Sequence, residues 1–305
     1  MPEIIRTSEE RFLGLKEYPF EPQSLDWQGL RLHYVDEGAK DQPVVLMLHG
    51  MPTWSYLYRR LIPQLVAAGY RCVAPDYIGF GKSDKVIDDA WYSIERHSQS
   101  IAHLIDTIDL ERITLMGQDW GGPIGLRQAV DAPQRFARLT IMNTWLHHAE
   151  FDYTDAIRSW NAGWQPGSRL DELQPCGMVM RRYVSTHAGS TLSEDEAFAA
   201  YEAPFPDRAS KAGPRRFPLS LPFDDPKAGN AQDQERCFEA LRSWSKPIHF
   251  IWGIRDDVFD EAWGEKWSSL YPQASLDKIA GAGHFLQESH GEQVAKLLLQ
   301  RIDEE

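Results

Sequence analysis

The sequence predicts an α/β fold, a mostly parallel central sheet flanked by helices, with an inserted helical cap. Three observations carry this. Short apolar runs alternate with longer amphipathic stretches, the rhythm of strands joined by crossover helices. The central runs, such as Val44-Val45-Leu46-Met47-Leu48, are apolar throughout, as strands covered on both faces must be. The rhythm then breaks between about residues 147 and 241, where strand-like runs disappear and Pro and Gly accumulate.

In chain order, strands are expected at 32–35, 44–48, 70–74, 113–116, 139–142, 248–252 and 275–279. Helices are expected at 56–68, 93–108, 123–131 and 292–302, where apolar residues recur at helical spacing. Within the interruption the helical pieces are short: 171–186, 193–201 and 232–244. A disordered linker is a poor reading of that segment, because Trp160, Trp164, Phe198, Phe205, Phe217 and Phe223 are too apolar for one. The expected organisation is therefore a core of residues 1–146 and 241–305 with a cap of residues 147–240. Such a cap sits over the carboxyl ends of the strands, where open α/β sheets bind ligands.

Composition narrows the function classes. The 305 residues are 42% hydrophobic and 25% charged, ordinary for a globular protein. A net charge of −13 argues against nucleic acid, whose phosphates need clustered Lys and Arg. Cys72, Cys176 and Cys237 are few, odd in number and widely spaced, which fits reduced thiols. No apolar leader core follows Met1-Pro2-Glu3-Ile4, and no run reaches membrane-spanning length, so a cytoplasmic location is expected.

The most informative segment is Gly117-Gln118-Asp119-Trp120-Gly121-Gly122, between an apolar strand and a helix-like stretch. It has the form of the G-x-S-x-G turn that lifts a nucleophile above a sheet, with a carboxylate replacing the hydroxyl. Serine alkylated at saturated carbon becomes an ether, which water does not readily cleave. Aspartate becomes an ester, which can be opened. The motif thus points to displacement at an sp³ carbon followed by ester hydrolysis. The bland alternative is an Asp that caps a helix.

Asp119 needs partners, and they follow in the order nucleophile, acid, histidine. His284, in Gly281-Ala282-Gly283-His284-Phe285, lies after the last strand and is the candidate base. Gly253-Ile254-Arg255-Asp256-Asp257 offers two adjacent acids, of which Asp256 is taken as the orienting one and Asp257 as an exposed loop residue. The other acid position, Asn143-Thr144-Trp145, holds no carboxylate. The backbone N–H groups of Met51 and Trp120 are the expected oxyanion donors. His49 is read as organising its loop, and His147 and His148 as solvent or cap contacts.

With that elbow, the runs Met47-Leu48-His49-Gly50-Met51-Pro52-Thr53-Trp54-Ser55-Tyr56, Pro75-Asp76-Tyr77-Ile78-Gly79-Phe80-Gly81 and Gly283-His284-Phe285-Leu286-Gln287-Glu288 make the chain resemble the haloalkane dehalogenases over nearly its whole length. The resemblance implies an α/β-hydrolase fold, no metal or organic cofactor, a small halogenated alkane as substrate, water as co-substrate and halide as product, with neither nucleic acid nor membrane as partner. It carries Asp119 onto the nucleophile, Asp256 onto the acid and His284 onto the base. It also makes Trp120 the first halide-binding residue. Other branches use Asn where Met51 stands, and methionine cannot donate to halide. The second donor should then be a cap tryptophan: Trp164 by its distance upstream of Arg181-Arg182-Tyr183, or else Trp160. The nearest rival is an epoxide hydrolase that uses cap tyrosines (Tyr153, Tyr183 and Tyr201 are available) as acids. A non-enzymatic receptor on the same fold is a third reading. The Pro-Thr-Trp-Ser-Tyr run favours dehalogenation.

Overall fold

Eight strands build the central sheet of the computed structural model, which describes residues 2–149, 151–223, 225 and 228–305. They are β1 (Gln23–Trp27), β2 (Leu30–Glu37), β3 (Val44–Leu48), β4 (Arg71–Pro75), β5 (Ile113–Asp119), β6 (Phe136–Thr144), β7 (Ile248–Gly253) and β8 (Ala274–Ile279). Their spatial order is β8-β7-β6-β5-β3-β4-β2-β1. From β4 through β3 and β5 to β8 every pairing is parallel, while β2 runs antiparallel to both β1 and β4. A separate two-stranded antiparallel pair joins Ile4–Ile5 to Lys85–Val86. Strand β1 escapes the sequence pattern because it is an edge strand with a largely exposed face.

Alternation along β3 shows how the sheet divides the core. Val44, Leu46 and Leu48 join one apolar cluster, and Val45 and Met47 join the other. Helices α1 (Ile62–Ala67) and α11 (Leu286–Asp303) cover one face, whereas α2 (Ile94–Thr107), α3 (Gly121–Asp131) and α10 (Glu261–Ser268) cover the opposite one. The helix expected at 56–68 splits into a 3₁₀ turn, Ser55–Tyr58, and α1, whose first turn carries Pro63. Proline there lacks the N–H that a preceding turn would need, so the helix starts afresh. The last helix begins earlier than expected, at Leu286, and bends at His290.

Between β6 and β7 lie α4 (Asp155–Gly163), α5 (Arg169–Leu173), α6 (Cys176–Thr186), α7 (Glu194–Glu202), α8 (Ala212–Leu219) and α9 (Ala231–Leu241), with no strand among the described residues. Ser193 begins α7 with a capping box, its hydroxyl accepting from Glu196 N while the Glu196 carboxylate accepts from Ser193 N. Cys72, Cys176 and Cys237 are buried free thiols. Among the described residues no helix is long and apolar enough to cross a membrane.

One buried ion pair ties the inserted helices to the sheet. Arg59, after the 3₁₀ turn, donates to both carboxylate oxygens of Glu288 on α11, at 2.6 and 2.8 Å. Tyr201 on α7 and Ser190 donate to the same carboxylate at 2.6 Å each. Both charged side chains are fully buried, so removing one strands the other in a low-dielectric setting. Arg59→Met should therefore cost about 3–5 kcal/mol in urea unfolding, and adding Glu288→Met should recover part of it. A single-variant loss below about 1 kcal/mol would mean the pair behaves like an exposed one.

Candidate active site

Strand β5 runs straight into α3, and the joint is Asp119. Its φ is +52°, the left-handed region that a non-glycine residue occupies only when its surroundings impose it. Two neighbours make room. A Cβ on Gly50 would stand 2.1 Å from Asp119 Oδ1, and one on Gly121 would stand 2.0 Å from Leu48 O. Both positions need glycine for close approach. The elbow is further pinned by Thr144 on β6, whose hydroxyl donates to Asp119 O.

Around this carboxylate the expected residues converge. Met51 N donates to Asp119 Oδ1 at 2.8 Å. The Trp120 N–H heads α3, where amides have no partner within the helix. His284 Nε2 lies 3.5 Å from Asp119 Oδ2, and its Nδ1 lies 2.8 Å from Asp256 Oδ2. Asp256 is buried, and its carboxylate also accepts from Val258 N at 2.7 Å and Asn143 Nδ2 at 2.8 Å. Asp257 is exposed. Asn143 lacks a carboxyl group, yet its amide clamps Asp256 and also bonds Gly253 through both ends. Burial disfavours a charged His284, but the carboxylates of Asp256 and Asp119 outweigh it and push this histidine up to about 10. His49 is buried in its loop, with Nδ1 2.9 Å from Gly50 O and Nε2 accepting from Tyr77 N at 3.3 Å.

Above Asp119 a cavity of about 140 Å³ opens between sheet and inserted helices. Its wall is mostly apolar, including Ile157, Val179, Pro218, Leu221 and Phe259. Trp120 lines it, stacked on Phe217 with ring centroids 4.7 Å apart and met edge-on by Trp145 at 4.7 Å. Trp145 and, on α4, Trp160 line the cavity as well. Trp164, the first expectation, does not line this cavity. It caps the C-terminus of α4, packs edge-on against Trp160 at 5.7 Å and borders a separate surface groove with Asp89 and Arg208. Chain spacing does not separate the two, because residues one helical turn apart share a face and differ only in position along α4. The indole N–H groups of Trp145, in the cavity wall, and of Trp164 are buried without a hydrogen-bond partner among the described residues.

A family model described as the alpha/beta hydrolase fold matches residues 43–291. A haloalkane dehalogenase of Psychrobacter cryohalolentis is 39% identical, with 98% of each chain covered. One from Mycolicibacterium paratuberculosis is 37% identical over 97% of each. Among solved structures, the tetrameric haloalkane dehalogenase DpaA of Paraglaciecola agarilytica superposes with a TM-score of 0.87 at 37% identity, covering 97% of both chains.

Proposed function

Since the chain belongs to the haloalkane dehalogenases of the α/β-hydrolase fold, hydrolases acting on carbon–halide bonds, we propose that it converts small halogenated alkanes and water to alcohol, halide and a proton through an alkyl ester on Asp119. Residues 147–240 act as the cap that closes the site. The observation that supports this most strongly is a carboxylate facing a mostly apolar cavity walled by three tryptophans, backed by a histidine held by a buried acid.

Asp119 Oδ2 attacks the carbon bearing the halogen, and the carbon–halogen bond breaks with its electron pair leaving on halide. No base is needed, since the carboxylate has no proton to lose. The departing anion is held by Trp120 and Trp160, each rigid, apolar and carrying one donor, so charge is met without admitting much water. Oδ1, already bonded to Met51 N at 2.8 Å, becomes the ester carbonyl oxygen. Esterification removes one of the two negative charges beside His284, so the ring gives up its proton more readily and can act as base. It takes a proton from water, whose oxygen adds to Cγ. Met51 and Trp120 N–H groups stabilise the oxyanion. The Cγ–Oδ2 bond then breaks as the leaving oxygen takes the proton held by His284. The alcohol departs, and the proton left on the Asp119 carboxyl group is lost to solvent. Because only neutral His284 can accept that proton, ester hydrolysis should quicken as pH rises through the ring's lowered pKa in the alkyl-enzyme.

Epoxide opening finds little support, because its candidate acids are engaged elsewhere. Tyr153 pairs with His147, Tyr183 with Ser289 and Tyr201 with Glu288, and none lines the cavity.

His284→Phe should leave alkylation intact and stall hydrolysis. Rapid-quench halide release should then stop at one equivalent per site, with an alkyl adduct in the intact mass, whereas continued turnover would remove His284 as base. Bromide should quench tryptophan fluorescence in wild type and in Trp164→Phe, with the quench much reduced in Trp160→Phe. The reverse pattern would restore Trp164 as the donor.

A further inference from the structure

Gln118, immediately before the nucleophile, is fully buried and makes an unusual set of contacts. Its Nε2 lies 3.0 Å from the backbone oxygen of His284 and 3.2 Å from His284 Nε2. Its Oε1 is buried and has no partner among the described residues. A backbone oxygen only accepts, so the end facing His284 must be the NH₂ group, which fixes the amide orientation. Every hydrogen bond this side chain makes therefore goes to one residue. Methionine or leucine would fill similar space without burying an unsatisfied oxygen, which is costly. Retaining an amide here needs an explanation other than packing.

We propose that Gln118 is a positioning residue for ester hydrolysis: one N–H anchors the His284 backbone, and the other donates to Nε2 and holds that ring nitrogen as an unprotonated acceptor beside the ester. The second hydrogen bond exists only when Nε2 carries a lone pair and Nδ1–H faces Asp256. It thus favours the neutral, base form of His284. The charged groups facing the ring are Asp119 from the elbow and Asp256 from the loop after β7, both of which favour the protonated form. The rings packed on it, Phe259 and Phe285, are apolar. Gln118 works against the two carboxylates. Once Asp119 is esterified, only Asp256 still opposes it. Attack by Asp119 needs no base, so Gln118 matters for the second step and not the first.

The inference rests on the alkyl-enzyme reading, and the test keeps the two apart. Gln118→Met and Gln118→Leu, two apolar side chains of different shape, are compared with wild type in single-turnover halide release, alkyl-enzyme decay by intact mass, and the pH profile of that decay. Both variants should release one halide per site at close to the wild-type rate. Decay of the ester should slow by about tenfold or more at neutral pH, the loss of a hydrogen bond to the base. The acid limb of its pH profile should move to higher pH. Unchanged decay with an unmoved limb would overturn the proposal, as would equal slowing of both steps with the limb in place, the mark of a packing defect. If one variant fails to fold, the other decides. If wild type itself never forms an alkyl-enzyme, the proposed function fails instead.

Discussion

The turn at Asp119 is the constraint on which the rest of the molecule depends. A side-chain-bearing residue at φ +52° is costly on its own, so the surrounding backbone must impose it. Strand β3 approaches so closely that Gly50 and Gly121 cannot carry a Cβ, and Thr144 on β6 holds the elbow from the other side. The same approach puts Met51 N on the carboxylate. The strain at the elbow and the donor on Asp119 come from one packing arrangement.

The charges around the site are organised by burial. Asp256 is satisfied by His284, Asn143 and Val258. His284 is placed between two carboxylates, Asp119 and Asp256. Glu288, four residues after His284, joins Arg59 and Tyr201, so the loop carrying His284, the 3₁₀ turn after β3 and the inserted helices share one polar anchor. The cavity depends on those helices as well, since Phe217 on α8 stacks on Trp120 and Trp160 on α4 closes the wall.

Much of this was legible in the sequence wherever local chemistry dictates structure. The all-apolar runs of β3 and β5 and the Gly-flanked Asp119 declare a buried parallel sheet and its elbow. Chain order was enough to bring forward His284 and Asp256. The edge strand β1 was silent because half its pattern faces solvent. Asn143 offers no carboxyl group for the sequence pattern to flag, because it holds one instead of carrying one. Gln118 lies inside the elbow motif, but its partner is 166 residues away and local pattern does not reveal it. Which of Trp160 and Trp164 lines the cavity depends on where along α4 the wall ends, because residues one turn apart share a helix face.

The central claim is that Asp119 bonds covalently to substrate carbon, and the fate of oxygen tests it most directly. With enzyme in excess over a bromoalkane, a single turnover is run in ¹⁸O-labelled water. The alcohol should emerge unlabelled, carrying an oxygen from Asp119, and the label should appear in the peptide containing that residue. Labelled alcohol with an unlabelled Asp119 would mean that water attacks the substrate directly, and would contradict the account.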